Sequence, residues 1–453
     1  MSRHEDTQPT PQGVPALAPN RGEATFEDFK PPYSDREAAA EAHRCLYCFD
    51  APCIKACPTA INIPEFIRKI ATGNVEGSAR TIFDQNILGM SCARVCPVEV
   101  LCVGSCVFNR MDEKPIQIGK LQRYATDRAF ATGRRFYEAG PDSGKSVALV
   151  GAGPASLACA HRLRRAGHAV TIYEKRDVIG GLNTTGVAPY KMKADRALEE
   201  VEWVLGIGGV TIRTGVEIGR DVTFSDLEAR HDAVFLGMGL GPDNRLGVPH
   251  EDLPGVVGAV DFIEQMKLQP ASLAGVRRAL VVGGGNTALD AVRELLGLGI
   301  PEVTMVYRGT ERVMSGYAHE WEAARVEGAT ARWRAQPVAC VAGADGRLAG
   351  LRVISLDENR KPIAGSEHDI PADLILVAIG QSKLVDALSQ LDGLRFEKGR
   401  LVVGPDGATG RRGWYAGGDL ISGGTEVVNA AAEGRDAAVA IDRFLSTPAG
   451  ATA

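Results

Sequence analysis

The chain has 453 residues, of which 45% are hydrophobic and 24% charged, with a formal net charge of -5. That length suffices for two or three domains with full hydrophobic cores. The mild acidity gives no reason to expect nucleic acid or an anionic membrane as partner, and no apolar run approaches the roughly 18 residues needed to cross a bilayer.

Residues 1–30 are polar and Pro-rich and lack the apolar core of a signal peptide. They are predicted to form a flexible tail, and a cytoplasmic location follows by default. In that compartment dense cysteines read as metal ligands rather than disulfides.

Residues 31–140 read as a helical domain with cysteine-bearing loops. Helices are predicted over Ile63–Thr72, Glu76–Asn86 and Ile118–Thr132 from apolar periodicity and the break at Gly73 and Asn74. Eight of the ten cysteines fall here, in two runs. The first is Cys45, Cys48, Cys53 and Cys57, followed by Pro58; the second is Cys92, Cys96 (followed by Pro97), Cys102 and Cys106. Iron–sulfur clusters need thiolates at short spacing plus a more distant closing ligand, often beside proline. Zinc knuckles would favour paired Cys-x-x-Cys or histidines, and Cys45/Cys48 is the single such pair. The isolated Cys159 and Cys340 read as core residues.

After a linker at 138–145, the character changes. Strand Val147–Val150 leads into Gly151-x-Gly153-x-x-Ser156, a helix to about Ala166, and strand Ala169–Tyr173 ending at Glu174. In such a loop the glycines permit a tight turn and close pyrophosphate approach, and the terminal acid faces ribose hydroxyls. The plan recurs with strand Ala279–Val282, Gly283-Gly284-Gly285, helix Asn286–Leu298 and strand Val303–Tyr307. There Arg308 stands in place of an acid, leaning towards the 2′-phosphate of NADP. Gly180-Gly181 and Tyr415-Ala416-Gly417-Gly418-Asp419, ahead of a final helix, fit a flavin site; Asp419 can contact flavin or serve as a plain N-cap. The expected fold is α/β, with two Rossmann-like dinucleotide-binding domains: FAD at 141–268 and 386–453, NAD(P)H at 269–385.

In this order, the cysteine array, the two glycine loops and the Tyr415–Asp419 segment resemble the small subunits of glutamate synthase and their relatives. Among these the chain is most similar, from about Tyr33 to Phe444, to the NAD(P)H-oxidising subunits of bacterial dihydropyrimidine dehydrogenases. The resemblance implies FAD, two 4Fe–4S clusters and NADPH or NADH as cofactors. It assigns Cys45, Cys48, Cys53 and Cys106 to one cluster, and Cys57, Cys96, Cys102 and Gln122 to the other, with Cys92 left as a bystander. Gln122 ends the segment Pro115–Gln122, where the pyrimidine enzymes carry glutamine and glutamate synthase relatives carry glutamate. For FAD it implies Gly151, Ala152, Gly153, Pro154, Ala155, Glu174, Gly181, Leu182 and Lys191, with Gly380, Gly418, Asp419 and Thr425. For the nicotinamide cofactor it implies Gly283, Gly284, Gly285, Asn286, Thr287 and Arg308. NADPH-specific members carry two basic residues at the second strand end and an arginine a turn later; here Gly309 and Ser315 stand at two of these positions, which leaves NADH open.

Hydride transfer to flavin needs alignment rather than a protein acid or base, so no catalytic side chain is expected. A barrel for FMN and pyrimidine takes about 250 residues and is absent from this sequence. The expected role is therefore electron input to a separate FMN- and iron–sulfur-containing subunit that reduces uracil and thymine, in a hetero-oligomer. The alternatives are a glutamate synthase small subunit or related NADPH-linked flavoprotein and, more distantly, a non-catalytic cluster-bearing protein.

Overall fold

The computed structural model describes residues 17–270 and 273–447. The helical domain holds α1 (Asp35–His43), α2 (Ile63–Ala71), α3 (Val75–Gln85), α4 (Gly89–Val95) and α5 (Ile118–Ala131). Local chemistry sets their starts. Ser34 and Glu37 form a capping box on α1, and the side chains of Asn62 and Asn74 accept the Glu65 and Gly77 N–H groups at the heads of α2 and α3. The predicted helices lie within one residue of α2, α3 and α5; α1 and the short, buried α4 were not anticipated.

Two parallel five-stranded sheets follow. In the first, β1 (Ser146–Val150) is flanked by β2 (Ala169–Tyr173) and β3 (Val210–Arg213) on one side. On the other lie β4 (Ala233–Leu236) and the last strand, β13 (Trp414–Ala416). In the second, β12 (Leu374–Val377) lies between β5 (Val256–Gly258) and β6 (Arg278–Val282), and β7 (Glu302–Tyr307) and β8 (Thr330–Trp333) extend the far edge. Both strand–glycine loop–helix units thus sit centrally in their sheets, with α6 (Pro154–Arg165) and α8 (Asn286–Gly297) following the loops directly.

Strand β5 moves the domain boundary that the sequence placed at 268/269. It pairs with β12, so the chain enters the second sheet by Val256, and α7 (Ala259–Leu268) belongs with it. A three-residue strand is too short for periodicity to register. The two crossings between domains run side by side: Gly241 N–H donates to Ser382 O at 2.9 Å and Asn244 N–H to Gly380 O at 2.9 Å. A further antiparallel sheet, β9 (Ala335–Ala342), β10 (Leu348–Ser355) and β11 (His368–Pro371), covers one face of the second domain. Cys340 is buried in that layer, and Cys159 is buried inside α6.

The final helix, α9 (Val427–Ser446), packs on α6 so closely that a Cβ on Gly434 would lie 1.9 Å from the Ala155 carbonyl oxygen; only glycine permits that crossing. The helical domain is fixed to the first sheet domain by clustered aromatics: Trp203 lies 4.5 Å from Phe83 and 5.3 Å from Phe130, centroid to centroid.

The predicted tail includes a packed segment. Residues 1–16 lie outside the described residues, but Arg21–Phe29 is bound at several points. Glu23 accepts from Ala194 N–H at 2.9 Å, Gly22 N–H donates to Gln269 O at 3.1 Å, and Phe26 is buried against Gly297. Phe26, buried in an otherwise polar stretch, supplies the burial that a mobile tail lacks. Among the described residues no helix is long and apolar enough to cross a membrane. Because Phe26 fills the core of the second sheet domain, Phe26→Ala is expected to cost about 3 kcal/mol, measured as a lower denaturant midpoint for that domain.

Candidate functional site

The cysteines separate into two cavities. Cys45, Cys48, Cys53 and Cys106 line one, closed by apolar residues including Ile63, Ile67, Ile116 and Ile118. Cys57, Cys96, Cys102 and Gln122 line the other, with Cys92 and Asn86. Each set gathers residues from both ends of the helical domain around a space, and among the described residues no three His, Cys, Asp or Glu side chains converge on a point as a single-ion site would require. Crowding these thiols away from water disfavours their charged forms. Burial, then Cys45 and Cys106, push the Cys53 thiol up to about 12; burial, then Cys57, does the same to Cys102. Iron supplies the positive charge that lets such thiols ionise, so the donor chemistry fits a cluster.

The Gln122 amide nitrogen donates to Gly89 O at 2.8 Å, leaving the carbonyl oxygen as the end with lone pairs to offer. Cys92, set aside in the sequence, is buried in the same cavity and hydrogen-bonds Cys96.

The two nucleotide loops open on one cleft of about 650 Å³. Its walls include Gly151 to Ala155, Glu174, Gly181, Leu182, Lys191, Gly380, Gly418, Asp419 and Thr425, with Asn286 and Thr287 opposite. Gly181 meets Gly153 back to back: a Cβ on Gly181 would sit 2.8 Å from the Gly153 Cα. The two loops therefore form a bare-backbone cradle of the kind a pyrophosphate requires. Glu174 Oε2 accepts from Ala152 N–H at 2.8 Å and Oε1 from Arg176 N–H at 2.9 Å. This holds the carboxylate at the end of β2, beside the loop.

The surroundings of six further predicted residues are set by the fold. Lys191 reaches the cleft, but its ammonium lies 2.8 Å from Asp290 and 2.7 Å from Glu320. Burial works against its charge, yet the two carboxylates outweigh it and hold the pKa above the ordinary lysine value. Its charge is thus paired with two carboxylates of the second sheet domain. Asp419 starts a single helical turn, Asp419–Ser422, and accepts from Thr425 N–H at 3.1 Å; it does not cap the long helix, which begins at Val427. Arg308 is exposed at the end of β7, and Gly283 to Gly285 turn behind Asn286 and Thr287 without lining the cleft.

Sequence reasoning missed two bridges. Across the cleft, the Tyr317 hydroxyl donates to Glu426 Oε1 at 2.7 Å, and Tyr317 N–H donates to Asn286 Oδ1 at 3.0 Å. Burial, then Glu426, push the Tyr317 hydroxyl up to about 12. Between the cleft and the cysteines, Glu200 receives Met90 N–H at 2.8 Å, Ser91 N–H at 3.2 Å and the Ser91 hydroxyl. Asn183, next to Leu182, donates to Ser91 Oγ at 2.9 Å. Neither bridge belongs to a short motif, so the sequence carried no sign of them.

These contacts order the site in space. Val95 and Pro97, on either side of Cys96, line the cleft, so the Gln122 cavity adjoins it. Ile63 lines both cysteine cavities. The farther cavity is walled in part by Leu46, which is exposed.

Burial pushes the Glu200 carboxyl up to about 7 from an ordinary 4.5, against its hydrogen bonds from Ser91 and Met90. The folded chain therefore binds this proton more tightly than the unfolded chain, and stability falls as pH rises between 4.5 and about 7. Glu200→Gln is expected to flatten that fall in thermal unfolding measured across this pH range.

Comparison with known proteins places this geometry. Residues 22–134 match the family described as dihydropyrimidine dehydrogenase domain II, 4Fe-4S cluster, and residues 145–434 match pyridine nucleotide-disulphide oxidoreductase. The chain is 37% identical over 450 residues to the glutamate synthase [NADPH] small chain of Halomonas elongata, covering 93% of each. It is 33% identical over 420 residues to the NAD-dependent dihydropyrimidine dehydrogenase subunit PreT of Escherichia coli, covering 93% of this chain and 97% of that one. Among solved structures, FprA from Mycobacterium tuberculosis shares the fold, with a TM-score of 0.55 and 22% identity over 68% of this chain and 85% of that chain. The chain therefore belongs to the pyridine nucleotide-disulphide oxidoreductase family, within the NAD(P)H-dependent flavoproteins carrying an N-terminal 4Fe–4S domain that include glutamate synthase small chains and PreT subunits.

Proposed function

We propose that this chain is the electron-input subunit of a two-part reductase: it oxidises NADH or NADPH on FAD and passes electrons through two 4Fe–4S clusters to a partner. When bound, FAD accepts a hydride as an electron pair and the clusters carry electrons singly. The observation that carries this reading is the order of cleft, Gln122 cavity, Cys106 cavity and surface, which is the order a stepwise relay requires. The chain's own residues bind, orient and shield. The Gly153–Gly181 cradle takes the pyrophosphate and Glu174 the ribose. Asn286 and Thr287 meet the nicotinamide cofactor, and the Tyr317–Glu426 bridge sits where the two cofactors would face each other.

We assign the partner as an FMN- and iron–sulfur-containing subunit that reduces uracil and thymine. Gln122 supports this, because a neutral amide ligand distinguishes the pyrimidine enzymes from the glutamate-bearing relatives. Greater identity to a glutamate synthase small chain, 37% against 33%, favours the second reading, in which the partner makes glutamate. The loaded chain is expected to reduce artificial dyes with NADH or NADPH alone and to turn over uracil only when the pyrimidine-reducing subunit is added. Glutamate formation with a glutamate synthase large subunit, and no uracil turnover with the other, would select the second reading.

Arg308 is the basic residue at the end of β7, where a 2′-phosphate would lie. Arg308→Ala is expected to raise the KM for NADPH about tenfold, the scale of one lost charge-assisted hydrogen bond, and to leave that for NADH unchanged in steady-state dye reduction.

A further inference from the structure

The two cysteine cavities differ in their polar surroundings. Every non-cysteine side chain lining the Cys45, Cys48, Cys53 and Cys106 cavity is apolar. Around the Gln122 cavity stand two buried hydrogen-bond donors. Thr59 is 0% exposed, and its Oγ1 lies 3.2 Å from Cys57 Sγ, with no other side-chain hydrogen bond to that hydroxyl among the described residues. Asn86 is 1% exposed and lines the cavity itself. Its Oδ1 accepts from Leu88 N–H at 3.1 Å, which fixes the amide so that Nδ2 is the free end. Nδ2 has no partner among the described residues.

A buried N–H without an acceptor is costly, and native structures rarely keep one. Its position on a cavity built of cluster ligands supplies the missing acceptor, because cluster sulfurs take hydrogen bonds. The Thr59 hydroxyl follows the same logic. Once Cys57 is a thiolate it has no proton to offer, so the hydroxyl becomes the donor.

We propose that Thr59 and Asn86 are hydrogen-bond donors to the cluster held by Cys57, Cys96, Cys102 and Gln122, and that together they raise its reduction potential. A donor withdraws electron density from sulfur and favours the more negatively charged, reduced cluster. This cluster adjoins the flavin cleft, so the two donors act on the first transfer out of the flavin. The inference rests on the two-cluster reading above, and both residues are positioning residues rather than catalytic ones.

The test is a reductive titration of the FAD- and cluster-loaded chain, followed by low-temperature electron paramagnetic resonance with iron content measured in parallel. Thr59→Val removes the hydroxyl at constant shape. Asn86→Leu removes the NH₂ donor without adding a charge. Each is expected to shift the oxidised-to-reduced equilibrium of one cluster about tenfold towards oxidised, which is about 59 mV for a one-electron couple. The other cluster and the iron content should be unmoved, and Thr59→Ser should keep the unmodified potential. Unchanged midpoints, an equal shift of both clusters, a Thr59→Ser shift as large as that of Thr59→Val, or loss of iron from both variants would overturn the proposal. An unmodified chain with fewer than two cluster signals would instead overturn the two-cluster reading on which it rests.

Discussion

One buried carboxylate fixes the geometry on which the rest depends. Glu200, on the helix Ala194–Leu205 of the flavin domain, takes the first N–H groups of α4 in the cysteine domain. A helix start offers unpaired donors and the positive end of a dipole, and a carboxylate inserted there is held in both distance and angle. Asn183 adds a contact from the flavin loop to the same turn. The aromatics around Trp203 prevent the two domains from sliding past each other. The cost is a buried ionisable group, met by three hydrogen bonds rather than by a countercharge.

The nicotinamide side is joined in a softer way. Two adjacent crossings link it to the flavin sheet, and the facing side chains, Tyr317 with Glu426 and Lys191 with Glu320, are polar. Polar contacts can be exchanged for water or ligand at modest loss, whereas the aromatic contacts cannot. The rigid joint thus lies between the first sheet domain and the cysteine domain, and the exchangeable joint at the cleft on which both nucleotide loops open.

The glycine loops were legible because their demands are local. A positive φ at Gly151, a close backbone approach at Gly181 and a helix start immediately after each leave few alternatives to glycine. The cysteines were legible as metal ligands from density, but not as two sets. Which thiol joins which cavity depends on how the chain turns after Cys57 and Cys96, and resemblance to a family supplied that division. Glu200, Tyr317, Asn86 and Thr59 were not legible at all. A polar side chain on a helix or in a loop looks the same in sequence whether it faces water or a buried donor. Lys191 shows the converse: resemblance placed it at the flavin cofactor, and only the fold brought Asp290 and Glu320, about a hundred residues away, to pair with its charge.

The segment from Arg21 to Lys30 gains a further meaning from what it touches. It grips the nicotinamide domain through Phe26 and Gly22 and the flavin domain through Glu23. It then runs on to Lys30, whose ammonium lies 3.5 Å from the carbonyl oxygen of Cys96. A domain inserted by two neighbouring crossings alone could pivot about them like a door. A third anchor, far along the chain from both, removes that axis. The two sheet domains are thereby braced as one frame, and the strap ends beside Cys96, in the wall of a cysteine cavity.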